Sequence, residues 1–161
     1  MVKMLFMDVD GTLTDGRINI SSSGELFKSF DIKDGYAIKH FLPQYGIVPV
    51  ILTARDSKIT EIRSQELDIK YVIQGSFEKK KRMLDLVEKL TGITVNASGC
   101  LPDVAYIGDD LPDLECLKIV EYSACPADAT KEIKDNVKFI SSKNGGQGAV
   151  REFIEWLVQN S

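Results

Sequence analysis

The chain has 161 residues, 43% apolar and 27% charged, with a net charge of −4 and three cysteines. That length suits a single domain, 1–161, with its own core, and the acidic balance speaks against nucleic acid as the main partner, which demands a basic excess or stripe. Cys100, Cys116 and Cys125 lack any Cys-x-x-Cys spacing and no apolar stretch approaches a membrane span, so the expectation is a cytoplasmic protein with reduced thiols, no zinc cluster and no membrane partner.

Lys3-Met4-Leu5-Phe6-Met7 reads as a strand buried on both faces, ending in Asp8-Val9-Asp10-Gly11-Thr12. Parallel strands of α/β sheets carry ligands at their carboxyl ends, where these acids fall. Residues i and i+2 of a strand share a face, so the two carboxylates crowd one small volume. A hard divalent cation, most simply Mg²⁺, would relieve that crowding. Taken alone, the pair reads equally well as two acids capping the next helix. Residues 17–30 alternate around the polar turn Ser21-Ser22-Ser23-Gly24, which predicts a β-hairpin. Standing outside a parallel sheet, it would expose Ile18, Ile20, Leu26, Phe27 and Phe30, a patch that suggests an oligomer interface.

Asp34-Gly35 leads into a helix over 36–42, closed by Pro43 and Gly46, and Val48 to Leu52 is a second buried strand that delivers Thr53-Ala54-Arg55. A helix over 57–67 follows, with Ile59, Ile62 and Leu67 inward. Tyr71 to Ile73 is a short strand before Gln74-Gly75, and 78–90 is an amphipathic helix. After a polar connection through Pro102, Val104 to Ile107 is a strand ending in Gly108-Asp109-Asp110-Leu111-Pro112-Asp113. A helix over 114–119, a strand near 122–124, a helix over 129–135, a strand over 137–140 and a helix over 149–158 complete the chain. The alternation predicts an α/β fold, a Rossmann-like doubly wound and mostly parallel sheet with the hairpin inserted.

In such a sheet the strand ends line one crevice, so Asp8, Asp10, Thr53, Lys79 and Asp109 would meet there. Their shared chemistry is phosphoryl transfer. Asp8 would be the nucleophile and Asp10 the acid that protonates the leaving alcohol, then the base for water. Asp109 would join Asp8 and Asp10 in the metal site, and Thr53 and Lys79 would donate to phosphoryl oxygens.

Asp8-x-Asp10-Gly11-Thr12, Thr53, Lys79 and Gly108-Asp109-Asp110-x-x-Asp113 together resemble the four motifs of the haloacid dehalogenase superfamily of phosphohydrolases. Choosing Lys79 over Lys80 and Lys81 rests on its distance from Gln74-Gly75 in that family's pattern. Many members shield the site with an inserted cap domain, but the intervals Asp15 to Gly35 and Thr53 to Lys79 leave no room for one. The hairpin, Asp31-Ile32-Lys33-Asp34-Gly35-Tyr36, Thr53-Ala54-Arg55, Arg63, Gln74-Gly75 and Gly145-Gly146-Gln147-Gly148-Ala149-Val150-Arg151-Glu152 resemble the capless, tetrameric subgroup acting on 3-deoxy-2-ulosonate sugar phosphates.

That resemblance implies that Arg55, Arg63, Lys39 and the loop Asp31, Ile32, Lys33, Asp34 and Gly35 hold the sugar acid, with Asp10 and Lys79 beside its phosphate. Arginine's bidentate fork suits a carboxylate. It also implies a homotetramer in which the hairpin, with the C-terminal glycine motif as a further candidate, shapes a neighbour's site. The Arg55 and Arg63 pair favours 3-deoxy-D-manno-octulosonate 8-phosphate, an intermediate of lipopolysaccharide synthesis. Glu115-Cys116-Leu117-Lys118 and Pro126-Ala127-Asp128-Ala129 look closer to nine-carbon relatives, including the domain attached to some acylneuraminate cytidylyltransferases. Ala54, Lys39 and Gln147 depart from the subgroup's pattern and bear on which sugar is bound. Two other classes compete: a signalling receiver, which has no acid two residues after its phosphorylated Asp, and a noncatalytic tetramerisation module, which has no need of Asp8, Asp10 and Asp109.

Overall fold

The first strand, β1 (Met4–Met7), is buried on both sides because alternate side chains serve two cores. Leu5 and Met7 enter one apolar layer while Met4 and Phe6 enter the other, as the two-residue period of a strand requires. In the computed structural model, which describes residues 1–161, a tight turn at Val9–Leu13 follows β1. Then come the hairpin strands β2 (Asn19–Ser21) and β3 (Gly24–Phe27), α1 (Ile32–Tyr36) prolonged by a wider turn over Ala37–Phe41 and a tighter one over Leu42–Tyr45, and β4 (Val48–Leu52). The chain continues through α2 (Lys58–Glu66), β5 (Tyr71–Ile73), α3 (Lys79–Thr91), β6 (Leu101–Ile107) and α4 (Leu114–Leu117). It closes with β7 (Val120–Cys125), α5 (Lys131–Lys134), β8 (Phe139–Ile140) and α6 (Ala149–Asn160).

Six strands form one sheet in the order β5-β4-β1-β6-β7-β8, every neighbouring pair parallel, and β2 and β3 form a separate antiparallel ribbon. The chain moves outward from β1 through β4 to β5, then returns to the other side of β1 for β6. That reversal places the topological switch beside β1, where the loops after the strands part and leave a crevice. Ala37, Ile38 and Leu42 with Val150, Phe153, Ile154 and Leu157 of α6 cover one face. Met83 and Val87 of α3, Cys116 and Leu117 of α4 and Ile133 of α5 cover the other. The fold is therefore α/β and doubly wound, and only the hairpin interrupts the crossover from β1 to β4, so no cap stands over the crevice. Pro49 is tolerated inside β4 because β5 pairs only from Val50 onward, which leaves no partner for the missing donor on that side.

Local boundaries differ from the sequence expectation for physical reasons. The first helix starts at Ile32 rather than Tyr36, because the Asp31 carboxylate accepts from the N–H groups of Lys33 and Asp34 and caps it. β3 stops at Phe27, and Phe30 turns inward beneath the guanidinium of Arg63, 5.5 Å from its ring centroid, rather than joining the exposed patch. In α2, Ile62 is exposed and only Leu67 of the three expected residues is fully buried, while Thr60 and Ser64 take the inner face. The Ser64 hydroxyl donates to Thr60 O at 2.7 Å, so its burial leaves no unmet hydrogen bond. β6 begins at Leu101, through a bulge at Asp103, where φ is +57°, and β8 shrinks to Phe139–Ile140. No helix is long and apolar enough to cross a membrane.

Candidate active site

Three loops meet at the crevice. Asp8 follows β1, Thr53 follows β4 and Asp109 follows β6, while Lys79 enters from the first turn of α3. Gly11 sits at φ +91°, and a Cβ there would lie 2.1 Å from Asp109 Oδ2, so only glycine lets the Val9–Leu13 turn approach that carboxylate. Thr12 Oγ1 donates to Asp109 Oδ1 at 3.0 Å. The turn is supported from behind by the C-terminal glycines. Gly146 N donates to Thr12 O at 3.1 Å, and a Cβ on Gly145 would lie 1.9 Å from Gly11 O. The glycine motif, a candidate to reach a neighbouring site, thus packs against its own chain's catalytic turn.

Lys79, with its side chain 2% exposed, bridges Asp8 Oδ1 at 2.8 Å and Asp113 Oδ1 at 2.7 Å. Asp113 also accepts from Tyr106 OH at 2.7 Å and from the N–H groups of Asp109 and Asp110 at 3.1 and 3.3 Å. Both its oxygens are thereby engaged. Burial, reinforced by the charge of Asp113, lifts Asp8 to about 6 against the pull of Lys79. Burial together with Asp8 and Asp113 lifts Asp109 to about 8. Burial alone would lower Lys79, but the two carboxylates hold it above its ordinary value and keep it an ammonium. Burial likewise lifts the Cys116 thiol to about 12, so it offers no nucleophile.

Asp8, Asp109 and Asp113 each present an oxygen within 4.8 Å of the others. Such a set of hard oxygen donors, two of them driven towards protonation by burial and by neighbouring carboxylates, fits a divalent cation. With both oxygens of Asp113 engaged, Asp8 and Asp109, each engaged through Oδ1, are the carboxylates left to hold it. The third carboxylate of the cluster is not Asp10, as the strand spacing implied. Val9–Leu13 leaves strand geometry at once, and the Asp10 carboxylate pairs with Lys28 of the hairpin instead.

Asp8, Asp10, Thr53, Ala54, Arg55, Lys79, Asp109 and Asp113 line one cavity of about 250 Å³. A larger cleft of about 520 Å³ adjoins it across Lys79 and Pro112, but its walls, among them Phe77, Leu84 and Leu111, lack the paired acids. The remaining expected sugar-acid residues are elsewhere. Ile32, Gly35, Lys39 and Arg63 line a different cleft of about 270 Å³ with Glu66 and Leu67, and no residue lines both. There Arg63 Nη1 pairs with Glu66 at 2.8 Å, and Lys39 Nζ pairs with Asp68 at 3.0 Å. Asp31 is a helix cap and Lys33 is exposed. Asp34 is buried and accepts from Arg151 N at 2.7 Å, which places it under the N-terminus of α6 rather than facing a ligand. Its burial lifts it to about 6.

Four groups escaped the sequence reading or received no role in it: Tyr106, Asp113, Glu25 and Lys28. Asp113 stands inside a quoted motif, and a buried acid there needs a cation, which was a usable signal. Glu25 and Lys28 interrupt an otherwise apolar hairpin arm, a weaker signal. Glu25 accepts from Ser57 Oγ and lies 3.0 Å from Lys28 Nζ and 3.9 Å from Arg55 Nη2.

Comparison with known proteins identifies relatives that span nearly the whole chain. Residues 87–154 match the family described as haloacid dehalogenase-like hydrolase. The 3-deoxy-D-manno-octulosonate 8-phosphate phosphatase of Haemophilus influenzae is 37% identical over 158 residues, covering 98% of this chain and 83% of the relative. The crystal structure of the phosphatase of that name from Moraxella catarrhalis, in complex with magnesium ion, phosphate ion and KDO molecule, superposes with a TM-score of 0.89 at 36% identity, covering 98% of this chain and 86% of that one. The cobalt-bound form of the H. influenzae deoxy-D-mannose-octulosonate 8-phosphate phosphatase superposes with a TM-score of 0.88 at 37% identity, covering 98% and 88%.

Proposed function

The chain belongs to the haloacid dehalogenase-like hydrolases, and from that membership we propose that it is a Mg²⁺-dependent phosphatase of 3-deoxy-D-manno-octulosonate 8-phosphate. What carries this reading is the meeting of Asp8, Asp10, Thr53, Lys79 and Asp109 with Arg55 in one cavity. The phosphate end and one cation for the sugar acid are then within a single small site.

In this reading Asp8 attacks phosphorus, the P–O bond to the sugar breaks, and Asp10 gives its proton to the departing oxygen. Water then attacks the aspartyl phosphate, Asp10 takes its proton, and the Asp8–O–P bond breaks to release phosphate. Lys79 and Thr53 donate to the phosphoryl oxygens, where charge is largest in transit. Asp8 and Asp113 keep Lys79 charged, and Tyr106, donating to Asp113, helps hold it aimed. Mg²⁺, held by Asp8 and Asp109, would offset repulsion between the nucleophilic carboxylate and the phosphate dianion. Arg55 orients the sugar acid, with Arg63, Lys39, Ile32 and Gly35 contributing from the second cleft.

The exposed Ile18, Ile20, Leu26 and Phe27 of the hairpin supply an apolar face for association into a homotetramer. Such an assembly would bring a neighbour's second cleft to each catalytic cavity. The intact set of acids speaks against a noncatalytic tetramerisation module.

The test is a panel of kcat/KM values with the eight-carbon 8-phosphate, nine-carbon 2-ulosonate 9-phosphates and a generic phosphate ester. The eight-carbon substrate is expected to lead the nine-carbon ones by about tenfold or more. Parity with the generic ester overturns the sugar-acid assignment. Asp8→Asn should lower turnover by about 10⁴-fold or more while the oligomer persists. Undiminished turnover in that variant removes Asp8 as nucleophile.

A further inference from the structure

The hairpin is exposed along most of its length, yet the side chain of Lys28 at its base is only 2% exposed. Burying an ammonium is costly unless opposite charges meet it. Lys28 meets two, Asp10 and, at 3.0 Å, Glu25 Oε1. The Asp10 carboxylate has no other protein donor. Glu25 is itself held, through Ser57 Oγ and the guanidinium of Arg55 at 3.9 Å. A single run of charged contacts therefore passes from the turn after β1, through the hairpin, to the loop after β4.

We propose that Lys28 is a positioning residue for Asp10, aiming its carboxyl group at the leaving oxygen, and that Glu25 fixes Lys28 and couples this aim to Arg55. The inference rests on the reading of Asp10 as the acid that protonates the leaving group. An aspartate on a loop has two free torsions, and no other protein donor fixes this one. A buried lysine tied to a second loop gives it one orientation. It also gives the hairpin a task within its own chain's site, separate from any association between chains. Rate enhancement by a positioned acid depends on sub-ångström placement, so a side chain that never touches substrate can still govern it.

The experiment uses aryl phosphates of rising leaving-group basicity, from p-nitrophenyl to phenyl phosphate. They carry no sugar acid, so changes at Arg55 do not enter. The parameter kcat/KM covers steps only through departure of the alcohol or phenol. A good leaving group needs no proton and a poor one does. Asp10→Asn is expected to lose about 10²-fold or more on phenyl phosphate and far less on p-nitrophenyl phosphate. Lys28→Met should show the same slope at smaller amplitude, within about threefold of the parent on p-nitrophenyl phosphate and down about tenfold or more on phenyl phosphate. Lys28→Arg should recover part of the difference. Glu25→Gln, which leaves the lysine in place, should show the same trend more weakly and serves if Lys28→Met fails to fold. Equal losses on all esters in Lys28→Met and Glu25→Gln, beside a leaving-group-dependent loss in Asp10→Asn, would mean that Lys28 only fastens the hairpin and would overturn the inference alone. No leaving-group dependence in Asp10→Asn overturns the acid reading itself, and the inference with it.

Discussion

At the scale of single residues, the site is a contest between burial and charge. Asp8 and Asp109 both ionise less readily in the folded chain than free carboxylates do, at about 6 and about 8 against an ordinary 3.8. A carboxylate with a raised folded pKa contributes stability that is full below its unfolded pKa and disappears as pH rises through the folded one. The metal-free protein should therefore lose stability between pH 4 and 8, the window set by these two groups. A bound cation favours the ionised forms, so the same groups make Mg²⁺ stabilisation grow with pH. Thermal melts in chelator and in excess Mg²⁺, at pH 5 and pH 8, are expected to separate by several degrees more at pH 8; one kcal/mol corresponds to about 2–4 °C in a chain of this size. An equal Mg²⁺ shift at both values would mean that the cation does not relieve these acids. Asp113 follows a different rule from its neighbours, since Lys79, Tyr106 and two backbone donors satisfy it whether or not a cation is bound.

At the scale of elements, what the residue pattern revealed depended on how local the cause was. β1, β4 and β6 were legible because apolar runs break into polar residues at their carboxyl ends, and that break also marks Asp8, Thr53 and Asp109. The inner face of α2 was not, because it carries Thr60 and Ser64, the latter satisfied in burial by donating to Thr60 O, and so leaves no apolar period. The pairing of Lys28 with Asp10 was equally hidden, since it depends on how the hairpin folds back over the turn, and nothing in either segment alone sets that angle. Asp34 is the sharpest divergence. The resemblance marks it for the sugar acid, whereas in the fold its carboxylate receives Arg151 N–H at the start of α6, where an acid also complements the helix dipole. Asp34→Ala should accordingly cost about 1 kcal/mol, a Tm drop of about 2–4 °C, with KM unchanged. Arg55→Ala should do the reverse, raising KM with Tm unchanged. A raised KM and an unchanged Tm in Asp34→Ala would restore it to the substrate site.

At the scale of the whole molecule, the two clefts set a geometric problem. Arg55 stands in the cavity of Asp8, but Arg63, Gly35 and Lys39 line a separate surface on the same chain. A sugar acid of eight carbons with its phosphate at Asp8 has one carboxylate to place, and Arg63 serves it either from its own chain's second cleft or from that of another copy brought to the first. The apolar hairpin face gives such association a driving force, and closed symmetry would repeat the arrangement at every site. Mixing two inactive variants decides the matter. Asp8→Asn retains Arg63, and Arg63→Ala retains Asp8. If each site takes Asp8 from one chain and Arg63 from a neighbour, an equal, fully exchanged mixture regenerates about a quarter of the sites, since both choices must be favourable at once. If both residues serve within one chain, no site in the mixture holds both, and activity stays at the level of the separate variants. Recovery of activity towards the eight-carbon substrate, absent with aryl phosphates that do not need Arg63, would assign the hairpin-driven assembly a part in recognition. Failure to recover, in a mixture shown by mass to have exchanged subunits, would place the Asp8 and Arg63 of each site on one chain and leave the hairpin-driven association no part in recognition.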